Sequence, residues 1–201
     1  MTDETEKHET TDSSYTERLI QLEQHWLKTA LKPVNPYRWN IRRLAKGRTL
    51  DVGCGIGRNL RYLNRKDVVG VDHNIDSVSY VRGLGYPAFV PDEFHRKFSG
   101  RNDFETILIS HVLEHLDVPS ATEVVRSYLP YLASNGKVIV ICPQELGYES
   151  DPTHVTYFTG QRLSVMLTEL GLRIERVRSF PLPKLFGQKF IYNEHVVVAT
   201  K

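Results

Sequence analysis

A chain of 201 residues, 40% hydrophobic and 25% charged, is long enough for one domain with a full core and too short for two. Its 26 Lys and Arg against 24 Asp and Glu give a formal +2, a balance that argues against nucleic acid as a partner. No apolar run is long enough to span a membrane and no signal-peptide pattern opens the chain. Its only cysteines, Cys54 and Cys142, lie beside apolar strand-like runs, so the expectation is a cytoplasmic protein in a reducing setting.

Residues 1–16 are polar and without apolar periodicity, and are expected to be a disordered tail. Leu19, Leu22, Trp26 and Leu27 then recur at helical spacing, predicting an amphipathic helix over 17–31. Pro33 and Pro36 interrupt it, and YRWNIRRLA predicts a second short helix. RTLDVG, VVGVD, FETILIS and KVIVIC (Arg48–Gly53, Val68–Asp72, Phe104–Ser110, Lys137–Cys142) are near-continuous apolar runs, as strands covered on both faces require. Residues 57–64, 75–83 and 118–132 between them read as helices, with Arg58, Arg61, Arg65 and Lys66 on a solvated face. FTGQRLSVMLTELG predicts a helix stopped by Gly171. LRIERVRSF and KFIYNEHVVVAT follow as two strands joined without a helix, which favours an antiparallel pair. The fold class is therefore α/β: a doubly wound, seven-stranded, mostly parallel sheet with a C-terminal antiparallel hairpin and helices on both faces.

LDVGCGIGRNL (Leu50–Leu60) sets Gly53, Gly55 and Gly57 between a strand and a helix. Glycines accept positive φ there and let a ligand approach the free N–H groups of the helix start. Asp72 ends the next strand, where in a doubly wound sheet an acid accepts hydrogen bonds from a ribose diol. The spacing is not Gly-x-Gly-x-x-Gly, and Asp51 precedes the glycines inside the strand. A dinucleotide dehydrogenase is the competing reading, although nothing like a second nucleotide half follows.

LDVGCGIG followed by GVDHN resembles motif I and the acidic second motif of class I S-adenosylmethionine methyltransferases. The resemblance implies a Rossmann-like methyltransferase fold and S-adenosylmethionine as cofactor. It implies that Gly53, Cys54 and Gly55 line the methionine portion, that Asp72 holds the ribose and that His73 flanks the adenosine. Asp51, Gly57 and Ser110 join the cofactor side. Asp92 in VPDEF falls where the family places an adenine contact, although PDEF departs from its Gly-Asp-Ala pattern. Such enzymes close N-terminal helices over the cofactor, so residues 17–45 are expected to be a lid carrying Trp26, Tyr37 and Trp39, and 46–201 the methyltransferase domain.

HVLEHL (His111–Leu116) contains His-x-x-Glu-His, the core of an inverted zinc-peptidase signature. A peptidase needs that motif in a long helix, and Pro119 leaves room here for about one turn. A helical turn would put His111, Glu114 and His115 on one face at the carboxyl edge of the fourth strand. His154 follows the fifth strand and borders the same crevice. The set resembles ubiquinone-pathway O-methyltransferases and small-RNA 3′-end 2′-O-methyltransferases, which carry Glu-x-x-Glu-His and a later His. In those, the groups hold a divalent cation that binds the reacting hydroxyl. Glu114, His115 and His154 match that pattern, and His111 replaces its first Glu. NPYRW (Asn35–Trp39) resembles the Asn-Pro-x-Arg of the quinone-pathway enzymes, which would set Arg38 on the cofactor carboxylate.

The expected activity is methyl transfer to a hydroxyl, with His111, Glu114, His115 and His154 as catalytic residues and candidate metal ligands. The cation would be magnesium or, because imidazole suits it better, a softer transition metal. The same histidines could instead act as a general base without metal. Expected partners are a small hydroxylated substrate, no membrane, and a monomer or homodimer. A sugar, oligosaccharide or phenolic acceptor suits Gln144, Tyr148, Glu149, Asp151 and Tyr157. RNA 2′-O-methylation and a non-catalytic cofactor-binding regulator are the alternatives.

Overall fold

The computed structural model describes residues 35–201; the expected tail over 1–16, the helix over 17–31 and Trp26 lie outside the described residues. Seven strands form one sheet: β1 (Thr49–Val52), β2 (Val68–Val71), β3 (Ala88–Phe89), β4 (Phe104–Ser110), β5 (Leu132–Pro143), β6 (Arg173–Phe180) and β7 (Glu194–Thr200). Their order is β3-β2-β1-β4-β5-β7-β6. β3 to β5 run parallel, whereas β7 pairs antiparallel with both β5 and β6. This is the expected α/β sheet with a terminal antiparallel hairpin.

Every residue of β1, β2 and β7 is buried, so these strands carry apolar side chains toward both faces. Leu50, Val52, Ile107, Ile109, Val140 and Val197 pack one layer, beneath α4 (Pro91–Phe98), α5 (Val118–Tyr128) and α7 (Gly160–Glu169). Leu108, Ile139, Ile141, Val196 and Val198 pack the other, beneath α1 (Pro36–Leu44), α2 (Arg58–Leu63) and α3 (Ile75–Gly83). The period-two alternation of β-strand side chains divides these residues between the layers. Helix starts follow local chemistry. Asn35 caps α1 by accepting from Tyr37 and Arg38 N–H ahead of Pro36, and Asn74 caps α3 in the same way.

Three boundaries depart from expectation. Instead of running to residue 132, α5 ends at Tyr128 and a 3-10 turn carries Leu129–Tyr131. Pro130 has no N–H to continue the helix, and Leu132 already pairs with Phe104, so β5 starts five residues early. β7 starts at Glu194 rather than Lys189, because a 3-10 turn over Lys184–Phe186 and the loop after it occupy the approach. Two helices lack a readable apolar period: α4, which buries only Phe94 and Phe98, and the five-residue α6 (Glu145–Glu149).

Candidate active site

The turn from β1 into α2 is held by backbone and by Asp72. Gly53 and Cys54 N–H both donate to the Val71 carbonyl, at 2.8 and 3.0 Å. Asp72 Oδ2 accepts from Gly55 N–H at 2.7 Å and its Oδ1 from Asn74 N–H at 2.9 Å, so one carboxylate fixes both the loop and the start of α3. Gly53 has φ 70°, and a Cβ there would lie 2.2 Å from Val112 Cγ2. The glycine is required both by its backbone conformation and by the β4 loop pressing on it. Beneath the turn, Asp51 is fully buried and accepts from Asn59 Nδ2 at 3.1 Å, while its Oδ2 has no partner. Burial raises its pKa to about 7 against the opposing Asn59 hydrogen bond.

Beyond β4 the chain does not form a helical turn from His111. His111 has φ 59°, and only Leu113–His115 wind, as a 3-10 turn. The three side chains therefore do not share a helix face. His111 Nε2 reaches Glu194 Oε1 at 2.8 Å, and its Nδ1 lies 3.3 Å from Glu114 Oε1, an ion-pair contact without hydrogen-bond alignment. Burial opposes charge on the ring, but Glu114 and Glu194 more than offset it and raise its pKa to about 9.

Glu114 is completely buried, and neither carboxylate oxygen has a hydrogen-bond partner. Burial favours its neutral form, yet His111 beside it holds its pKa below the usual value, so the group is an anion. Its main-chain carbonyl accepts from Val155 and Thr156 N–H at 2.7 and 3.0 Å, which draws the loop after α6 onto the 3-10 turn. One donor atom each from Glu114, His115 and His154 consequently falls within 4.8 Å of the others. His111 is outside this group.

The tautomers of the two histidines follow from their neighbours. His154 Nδ1 is 2.7 Å from the Tyr148 carbonyl, which can only accept, so Nδ1 carries the proton. His115 Nδ1 faces the Thr153 carbonyl at 3.4 Å and Thr153 Oγ1 at 3.1 Å; that hydroxyl itself donates to Asp151. Each ring is left with a lone pair on Nε2. Burial, reinforced by His154, lowers the His115 pKa despite Glu114, and keeps it neutral. Tyr148 stacks on His154 with centroids 5.4 Å apart, and Tyr157 lies beside Tyr148 with its hydroxyl 3.2 Å from His195 Nε2.

Residues 24–177 match a family model described as a methyltransferase domain. The chain belongs to that family. A methyltransferase from Archaeoglobus fulgidus, dependent on S-adenosylmethionine, is similar at 20% identity and TM-score 0.65, covering 82% of this chain and 93% of its own. A TehB-like methyltransferase from Corynebacterium glutamicum gives 19%, 0.67, 94% and 100% for the same quantities. Magnesium protoporphyrin IX methyltransferase from Synechocystis, solved with S-adenosylhomocysteine, gives 15%, 0.64, 96% and 96%. No curated protein matches the sequence significantly. The protein is thus an S-adenosylmethionine-dependent methyltransferase of class I, and no helix among its described residues is long and apolar enough to cross a membrane.

In this methyltransferase the cofactor-side residues named from sequence separate into distinct settings. Gly53, Cys54, Gly55, Gly57 and Asp72 form the turn itself, and Ser110 closes β4 nearby. Asp51 lies under the turn without solvent contact, while His73 is exposed beside Asp72, its Nδ1 3.6 Å from Oδ1. Asp92 is exposed on the first turn of α4, and Arg38 is exposed on the first turn of α1. Glu194 escaped the sequence reading. It heads a fully buried strand 83 residues from His111, and only the β5–β7 register brings it opposite Pro143 at the crevice. The one available signal was an acidic residue at the mouth of a buried strand.

Proposed function

We propose that this methyltransferase transfers the methyl group to a hydroxyl of a small molecule, a saccharide or phenolic metabolite, with Glu114, His115 and His154 as the acceptor-side residues. The observation that carries the reading is the buried Glu114 carboxylate, hydrogen-bonded on neither oxygen and met only by the His111 ion-pair contact, beside two imidazoles whose Nε2 lone pairs are free. A buried anion without hydrogen bonds is costly unless a cation or donor completes it. These three residues fit a divalent cation, and two imidazoles with one carboxylate suit manganese, iron or zinc better than magnesium. Such a cation, when bound, lowers the pKa of a coordinated hydroxyl.

The chain's own residues perform the rest. The Gly53–Gly57 turn and Asp72 seat the cofactor on the β1 and β2 edges, and Arg38 and His73 flank it. The Tyr148 carbonyl and Thr153 hold His154 and His115 in one tautomer each, as outer partners of ligating histidines do. Where no cation occupies the three residues, His115, neutral through burial, can instead accept the acceptor proton at Nε2. Tyr148 and Tyr157 present aromatic faces beside these groups, the surface that a sugar or phenol ring packs against. Most of the rate enhancement would come from orienting two reactants in one dry crevice.

The test is methyl transfer from labelled S-adenosylmethionine to panels of sugars, phenols and short RNAs, with and without EDTA. Transfer to a hydroxyl that stops on chelation and returns with manganese supports the reading. Activity unchanged by EDTA removes the metal and leaves His115 as base. Methylation of RNA alone would replace the small-molecule acceptor.

A further inference from the structure

One cleft of the described surface lies away from the glycine turn. It opens toward the amino-terminal halves of β4 and β5, where Thr106 of β4 and Asn135, Gly136 and Lys137 of β5 line about 560 Å³. Thr106 and Ser110 are four residues apart on one strand, roughly 13 Å at the rise of an extended chain. The cleft therefore lies across the sheet from the methyl-transfer crevice.

Its walls are basic. Arg43 and Lys46 come from α1 and the turn after it, Arg176 from β6, and Lys137 from β5. Glu105 and Glu175 also line it, but both are engaged: Glu175 pairs with Lys137 at 2.9 Å, and Glu105 accepts from Arg48 N–H at 3.2 Å. Among the described residues no carboxylate pairs with Arg43, Lys46 or Arg176. Arg178 stands behind them, donating to Asn40 Oδ1, with its Nε buried and unpartnered. Burial, then Arg43 and Arg176, lower its pKa, so these three guanidinium groups crowd one another. The lining carries a formal +2, and +3 with Arg178.

Arginines on an outer strand often serve only to keep other strands from pairing with it. That role needs charges aimed outward along β6. Here Arg178 turns in toward α1, and Arg43 is not on the strand at all. We infer that this cleft is a binding site for a phosphate group, separate from the methyl-transfer site and held by Arg43, Lys46 and Arg176. Guanidinium forks match carboxylate and phosphate alike, but a phosphate near neutral pH carries about −1.5 to −2, which suits the surplus better than a single carboxylate. The phosphate belongs to a free phosphorylated metabolite or to a nucleic-acid backbone. Residues 35–201 favour either, because seven of the 24 acidic residues but only four of the 26 basic ones precede Asn35.

The test titrates the full chain with inorganic pyrophosphate by calorimetry and with a short fluorescein-labelled single-stranded RNA by anisotropy. Arg43→Ala and Arg176→Ala, both at exposed positions, are compared with Arg126→Ala, whose partner Glu123 is elsewhere on the surface. S-adenosylhomocysteine binding by each variant reports that the fold is intact. Each cleft variant should weaken binding by about tenfold, as loss of one charge-assisted hydrogen bond predicts, and Arg126→Ala should not. Saturable pyrophosphate binding without tighter RNA binding assigns a metabolite; tighter, salt-sensitive RNA binding assigns a backbone. No saturable binding of either probe up to millimolar concentration, or binding that both cleft variants retain, overturns the site.

Discussion

His111 Nε2 and Glu194 Oε1 lie 2.8 Å apart, tying the loop after β4 to the first residue of β7 across 83 residues of sequence. Because the same ring approaches Glu114, one imidazolium is shared between two carboxylates at the crevice. Its pKa, about 9, exceeds the unfolded value of 6.5. The folded state thus binds this proton more tightly, and the stabilisation is complete below 6.5 and lost as pH rises through 9. In EDTA-treated protein the wild type should lose about 1–2 kcal/mol across this window, a figure discounted for the exposed part of the ring. Glu194→Gln should be less stable at pH 7 by about 1–3 kcal/mol and should show a flatter profile. Urea unfolding of both proteins between these pH values measures it. Parallel curves would show that the pair does not titrate as one.

Gly53→Ala should fail twice over. Its positive φ costs an L-residue about 1–2 kcal/mol, and the Cβ would meet Val112 Cγ2 at 2.2 Å. With overpacking added, a destabilisation of about 2–4 kcal/mol is expected, together with loss of S-adenosylhomocysteine binding. Denaturant unfolding and calorimetry read the two effects separately. A variant of wild-type stability would show that the β4 loop yields freely.

Asp72→Ala removes an acceptor that orders both the glycine turn and the cap of α3, as well as the proposed ribose partner. Cofactor affinity should fall by about 10- to 100-fold, the loss of one or two charge-assisted hydrogen bonds. Normal affinity by calorimetry would move the ribose away from this carboxylate.

His154→Ala and His115→Ala should leave cofactor affinity within about twofold and lower turnover by roughly 10² to 10⁴, the range for a positioned acid–base or ligand residue. Labelled methyl transfer to an acceptor found in the panel, beside calorimetry with S-adenosylhomocysteine, separates the two. Equal losses of binding and turnover would mean that the rings support the fold rather than the acceptor.

The sheet was legible because RTLDVG, VVGVD, FETILIS and KVIVIC are short, near-continuous apolar runs, as strands covered on both faces require. The turn glycines and Asp72 were legible because the spacing of strand, turn and strand is local. His111 was misplaced for a complementary reason. Periodicity assumes a regular helix, whereas the φ of 59° at His111 breaks the period at its first residue. Glu194 had no local signature, since its role arises from the antiparallel register of β5 and β7. The cluster of Arg43 with Arg176 and Arg178 is hidden likewise, because α1 and β6 meet only after the sheet has closed its far edge.

Asp51 yields the opposite pH dependence to an ordinary paired carboxylate. It is fully buried on β1, one oxygen accepts from Asn59, and the other has no partner. Burial raises its pKa from 3.8 to about 7, so the folded state holds the proton more tightly than the unfolded chain. Its contribution is therefore complete at acid pH and is lost as pH rises from 3.8 through 7. The loss is on the order of 2–4 kcal/mol for a shift of this size. Asp51→Asn keeps an oxygen for the Asn59 N–H and carries no charge to desolvate. Against the wild type it should be more stable at pH 8, by about 1–3 kcal/mol, with the advantage shrinking or reversing at pH 5. Urea unfolding at the two pH values decides it, and a wild type that gains stability relative to Asp51→Asn between pH 5 and 8 would place a compensating charge beneath the glycine turn.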